Sequence, residues 1–259
     1  SGEPAVIATP EGRHFFGHGE FSADGRILFA SENDFEAGRG VIGLYDTTSS
    51  FRRIAEFDAH GIGTHDIGVS PDGRFLAIAN GGIETHPDFG RTKLNLDRMQ
   101  PSLVLLDARS GALVQRHALP PALARLSTRH LAFADGGRIW FACQFEGSRN
   151  ETPPLAGYFE PGTDPTFVTL PGDVTERMGH YVGAIATNAA AGLVGLSSPR
   201  GSLVLLDARD GRLLSEHAVH EAAGVAASAR AIAVSAYDGT LAETTSPVNW
   251  DQHLLRLPD

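Results

Sequence analysis

"SLVLLDARSG" at residues 102–111 and "SLVLLDARDG" at residues 202–211 agree at nine of ten positions, 100 residues apart. Each is an apolar strand pattern that ends in Asp and a turn signal, so the chain contains an internal repeat. A repeat of this kind decides the fold before any single element does. Working outward, a second motif precedes the first in each copy. It reads "FSADGRILFAS" from Phe21, "VSPDGRFLAIA" from Val69 and "FADGGRIWFAC" from Phe133. Each is a short strand, an Asp-Gly or Gly-Gly turn and an alternating apolar strand, and Gly accepts the positive φ of a tight hairpin at little cost. "IATNAAAGLVGLS" from Ile185 and "AASARAIAVSA" from Ala226 are weaker copies. The third strand reads "VIGLYD", "SLVLLD", "LAGYFE" and "SLVLLD", and a fourth follows as "FRRIAEF", "ALVQRHALP" and "RLLSEHAV".

The unit is thus four antiparallel strands recurring every 40 to 60 residues, with almost no helix-period sequence. That pattern predicts an all-β fold, a β-propeller of four-stranded antiparallel blades. Five blades are recognisable, and six or seven are expected for a full ring. Residues 1–259 read as a single propeller domain. Strand material in "PAVIATP" and the absence of a shared closing blade lead us to expect that some N-terminal blade sequence is missing.

Bulk composition narrows the function. The formal net charge is -10, which argues against a nucleic-acid partner, because phosphate neutralisation needs clustered Lys and Arg. No apolar run approaches the length of a membrane span. The single cysteine, Cys143, rules out an internal disulfide and a multi-Cys zinc site, and its flanks "IWFACQF" make it a core thiol.

In a propeller, strand one of each blade lines the channel, and the segment entering it shares an end with the loop between strands two and three. Histidines stand there: His18 in "FFGHGEFS", His65 in "GTHDIGVS", His130 in "STRHLAF" and, slightly earlier, His180 in "MGHYVGAIA". The first three are expected just before strand one, at near-equivalent positions. Converging imidazoles with carboxylates nearby predict a transition-metal site for Fe, Cu or Zn. The plainer reading is that each His bonds the backbone of its own blade. Loops on the same face supply Glu32 and Asp34, then Glu84, His86, Arg91 and Asn95 from a long insert, then Arg200 in "SSPRG". That insert, about twenty residues in "ANGGIETHPDFGRTKLNLDRMQPSLVLLD" (79–107), is predicted to be a lid or a ligand-contacting element, with Leu94, Leu96 and Met99 pinning it down.

Two other functions fit a polar mouth. One is an enzyme of lactonase, hydrolase or oxidoreductase-subunit type using His and carboxylates, although no nucleophile elbow, Walker loop or dinucleotide motif is present. The other is a scaffold whose insert contacts a partner protein.

"GRHFFGHGEFSADGRILFASENDFEAGRGVIGLYD", "HGIGTHDIGVSPDGR", "ANGGIETHPDFGRTKLNLDRMQPSL", "STRHLAF", "SSPRG" and "WDQHLLRL", in that order, resemble a family of exported bacterial propellers labelled domain of unknown function 1513. The resemblance implies a periplasmic protein, often exported by a twin-arginine signal. It also implies an association with imelysin-like and di-haem peroxidase-like proteins, and so iron handling. Matching positions are His18, Glu32, Asn33, Asp34, His65, Asn80, Gly81, Gly82, His86, Asn95, Arg129, His130 and Arg200. They add Asn33, Asn80 and Arg129 to the candidate ligand-binding residues. The expectation is a periplasmic propeller that binds a metal ion, a metal-bearing ligand or a partner protein at the channel mouth.

Overall fold

The computed structural model describes residues 6–90, 92–251 and 253–255. The chain divides into two compact units, residues 1–129 and 130–259. Among the described residues the strands form five four-stranded antiparallel sheets. In the first unit, sheet one comprises β1 (Arg13–Phe21), β2 (Ile27–Asp34), β3 (Arg39–Asp46) and β4 (Arg52–Asp58). Sheet two comprises β5 (Thr64–Val69), β6 (Phe75–Asn80), β7 (Ser102–Asp107) and β8 (Leu113–Ala118). Sheet three begins with β9 (Leu126–Phe133), which carries the boundary between the units. It continues in the second unit with β10 (Ile139–Phe145), β11 (Ala156–Phe159) and β12 (Thr166–Val168). One helix, α1 (Gly172–Arg177), precedes sheet four: β13 (Ala184–Asn188), β14 (Leu193–Ser198), β15 (Ser202–Asp207) and β16 (Leu213–Ala218). Sheet five is β17 (Ala222–Ala227), β18 (Ile232–Ala236), β19 (Thr240–Leu241) and β20 (Thr244–Thr245). Each sheet runs in chain order, strand one to strand four, as the repeat requires. The fold class is therefore the β-propeller read from the sequence. Val6–Pro10 form no strand, and the start of "PAVIATP" lies outside the described residues.

Local chemistry explains why the repeat folds this way. In the first hairpin Ser22 Oγ donates to Asp24 Oδ1 at 2.7 Å and accepts from Ile27 N–H at 3.0 Å. The second repeats it: Ser70 Oγ donates to Asp72 Oδ1 at 2.6 Å and accepts from Phe75 N–H at 2.9 Å. Gly25 and Gly73 take φ of 69° and 71°, which the tight turn requires. The Asp that ends strand three has the same kind of task. Asp46, Asp107 and Asp207 each accept backbone N–H bonds from the turn that follows.

Middle strands are buried on both faces. In the first unit Phe29, Ile42 and Leu44 of sheet one pack against Ile67, Leu76, Ile78, Val104 and Leu106 of sheet two. In the second unit Ala184 and Leu203 of sheet four meet Val225 and Ile232 of sheet five. Cys143 is fully buried in β10, as its flanks predict.

Candidate metal centre

In the first unit β1 and β5 lie side by side. Each is interrupted. The pairing of β1 with β2 breaks between Phe15 and Gly19, and that of β5 with β6 breaks between Thr64 and Asp66. His18 and His65 sit in those breaks. They are therefore inside strand one rather than before it, as the sequence spacing predicted. A bulge adds a residue to one strand and re-aims its side chain, and Gly17, at φ 98°, allows the bend in β1. Ser31 Oγ donates to His18 O at 3.0 Å and fixes the bulged backbone.

The two bulges bring the imidazoles together, with ring centres 4.9 Å apart and planes inclined at 52°. His18 Nδ1 lies 3.1 Å from Asp66 Oδ1, and both side chains are largely buried. Asp66 Oδ1 also accepts the N–H of Ile67 at 2.8 Å, which orients the carboxylate. An acceptor at this position places the proton on Nδ1 and makes Nε2 the basic nitrogen of His18. Glu20 stands on the same strand. It keeps an open surface, yet desolvation by the surrounding protein raises its carboxyl pKa, and the Asp66 charge adds to the rise.

In the second unit His130 is buried in β9, and its ring centre lies 5.2 Å from that of His253. His180 is differently employed. It follows α1 with φ 57°, its N–H donates to Thr175 O at 3.3 Å and its carbonyl accepts from Phe145 N–H at 2.9 Å. Its ring rests edge-on against Phe145. It is a turn residue.

The predicted ligand-binding residues are mostly engaged by the protein itself. Glu32 is fully buried; its Oε1 accepts from Tyr45 Oη at 2.6 Å and its Oε2 from Arg53 Nη2 at 2.9 Å. Asp34 lies 2.8 Å from Arg13 Nη1 and 3.2 Å from Arg39 Nε. Glu56 closes the network by accepting from Arg13, Arg39 and Arg53. Glu32 and Asp34, candidate ligand-binding residues in the sequence, thus belong to an ion network whose members Arg13 and Glu56 stand 43 positions apart. Asn80 accepts from Thr64 Oγ1 at 2.7 Å and donates to Ala59 O at 2.9 Å and Ser102 Oγ at 3.2 Å. Asn95 likewise has no exposed surface and spends its amide on the backbone, accepting from Glu84 N–H at 2.7 Å and donating to Gly82 O at 3.0 Å.

The insert lies on sheet one. Asn33 Nδ2 donates to Thr85 O at 3.1 Å. His86 Nδ1 accepts from Asp88 N–H at 3.2 Å, and its ring meets Phe35 edge-on at 4.9 Å. Glu84 pairs with Arg98 at 3.3 Å. Met99 is buried as expected, Leu96 is half-buried, and Leu94 is exposed because Asn95, not Leu94, is the residue that turns inward. Arg91 lies outside the described residues. Arg129 is a half-buried residue of β9. Arg200 is exposed at a cleft of about 260 Å³ shared with Arg177, Ser202 and Glu216, its methylenes covering Gly179.

Sequence reading missed Asp66, Glu20 and His253. Asp66 was legible as the neighbour of His65 in "THDIG", but nothing local links it to His18, 48 residues earlier.

The fold and these paired imidazoles define a β-propeller with a histidine–carboxylate cluster in its first strands. The chain belongs to the family described as protein of unknown function (DUF1513), whose model matches residues 1–257. No curated protein matches it. Among solved structures it is similar to the Cps50 (Swd1) β-propeller domain of Myceliophteria thermophila, with a TM-score of 0.62 and 15% identity. The match covers 92% of this chain and 65% of that one, so the chain spans about two thirds of the length of that domain. At this identity the likeness is one of fold alone. Among the described residues no helix is long and apolar enough to cross a membrane.

Proposed function

We propose that this propeller binds a transition-metal ion, or a ligand carrying one, through His18 and His65, with Asp66 orienting His18. The observation that carries the reading is the cluster itself: His18 Nδ1 3.1 Å from Asp66 Oδ1, and the second imidazole 4.9 Å away, centre to centre. Two imidazoles that share one ion at ~2.0–2.1 Å, with N–metal–N angles of about 90–110°, have ring centres about 4.5–5.2 Å apart. The carboxylate behind His18 is the partner that metal-ligating histidines ordinarily have, and it raises the basicity of the ligating nitrogen. Imidazole donors suit Zn, Cu, Fe and Ni rather than Mg or Ca.

The test is titration of chelator-stripped protein with Zn(II). His18→Ala and His65→Ala should abolish the tightest binding, and Asp66→Asn should weaken it about 10- to 100-fold. Wild-type affinity in all three variants would remove the reading. Iron is the metal we favour, and the periplasm the compartment, both on the family resemblance to exported propellers. Metal analysis of protein purified from its native host, with cell fractionation, tests both. Imelysin-like and di-haem peroxidase-like proteins are the partners to try first.

A second reading, contact with a partner protein through the insert, is supported by Phe89 and Leu94, which are 59% and 40% exposed there. Replacing both with Glu should abolish binding to such a partner while zinc binding persists.

A further inference from the structure

The last described residues of the chain run across β17. A Cβ on Gly224 would stand 2.7 Å from Leu254 N and 2.9 Å from His253 C, so the tail backbone lies that close only because the residue is glycine. Gly224 sits in the register break of β17 between Ala222 and Val225, and its N–H donates to Ser235 Oγ at 3.0 Å. Just upstream, Trp250 Nε1 donates to Gly239 O at 3.1 Å. The tail is thus anchored before and at His253, in a segment whose described residues form no strand. The anchoring sets the His253 ring 5.2 Å from that of His130, at 56°, with ring nitrogens of the two within 4.8 Å. His130 is only 3% exposed.

We propose that His130 and His253 are a metal-ligand pair, and that the C-terminal segment is part of the binding apparatus. The spacing is again the one that two imidazoles on a shared ion require, about 4.5–5.2 Å between centres. A borderline divalent ion such as Zn(II), Ni(II) or Cu(II) fits the donors, and water or an incoming ligand would complete its coordination. The anchoring explains why a tail without sheet pairing holds a histidine over a buried one. The inference rests on the metal-binding reading above, but on different residues.

The experiment uses the full chain, stripped of metal and titrated with Zn(II), in wild type, His253→Ala and His253→Gln, with His18→Ala alongside. The expected result is at least a tenfold loss of affinity at one of the zinc-binding steps in both His253 variants, with the melting temperature of the metal-free protein unchanged. In wild-type protein with ¹⁵N-labelled histidine, the side-chain nitrogens of His130 and His253 should shift on zinc addition. Unchanged affinity in the His253 variants, or nitrogens that do not move, would overturn the proposal. The nitrogen signals decide the case even if a variant misfolds. Loss in His18→Ala with His253→Ala unaffected overturns this inference and leaves the His18–Asp66 reading standing. Loss in His253→Ala with His18→Ala unaffected does the reverse.

Discussion

Gly43 shows how much of sheet one depends on single atoms. A Cβ there would fall on a carboxylate oxygen of Glu32 and 2.8 Å from Cε2 of Tyr45. Glycine is the residue that lets a fully buried carboxylate lie flat on the sheet and receive Tyr45 and Arg53. Gly43→Ala should destabilise the protein by about 1–3 kcal/mol, the usual cost of overpacking, read as a shift in the denaturant midpoint. Arg53→Met removes the cation from a buried carboxylate and should cost about 3–5 kcal/mol. Burial pushes the Tyr45 hydroxyl above its ordinary range, and its bond to Glu32 pushes it further. For Glu56 burial acts upward, but hydrogen bonds from Arg53, Arg39 and Arg13 outweigh it and hold the carboxyl at about 2. The folded pKa is depressed, so the stability Glu56 contributes is present above about 4.5 and is lost as pH falls from there toward 2. Unfolding free energy measured from pH 6 to pH 2 should therefore fall less steeply in Glu56→Gln. The residue types of this network were visible in the sequence; its closure was not, because Arg13 and Glu56 meet only through the register of four strands.

At the scale of the element, the long insert is the informative case. Its position between strands two and three was legible from the repeat. Its anchor was legible in part: of Leu94, Leu96 and Met99 the structure buries Met99 and leaves Leu94 exposed, and it also buries Asn95, whose amide matches the Glu84 N–H and the Gly82 carbonyl. Asn95→Ala removes the acceptor of the Glu84 N–H and leaves the Gly82 carbonyl with the Gln100 N–H alone, so it should cost about 1–3 kcal/mol and raise amide exchange across residues 83–99. His14 and His86 flank Phe35, at 6.0 and 4.9 Å between ring centres. Burial lowers the His14 pKa, and the nearby His86 lowers it further. A base whose folded pKa is depressed binds its proton more readily when unfolded, so its contribution to stability is present above about 6.5 and is lost as pH falls below that. Docking of the insert on sheet one should weaken as pH falls below about 6.5, with amide exchange in residues 83–90 rising first and His14→Phe suppressing the change.

For the molecule as a whole, Cys143 is a reporter. It is fully buried, and desolvation drives its pKa far up, so the reactive thiolate is absent in the native state. A thiol reagent should label it only on unfolding, and labelling rates should track the unfolding rate across the variants above; fast labelling of native protein would contradict the core assignment. What the sequence by itself determined was the propeller: strand periodicity, Asp-Gly turns and a nearly identical third strand 100 residues apart are local signals, and hairpins form from local contacts. It also marked His18, His65 and His130 as a related set. Tertiary structure alone decided which polar groups are spent on the fold and which are gathered. Bulges in β1 and β5 join His18 to Asp66, and a glycine in β17 seats the tail that brings His253 to His130. The physical reason is that a one-residue change of register turns a side chain to the opposite face, and the partners it then meets come from strands distant in sequence.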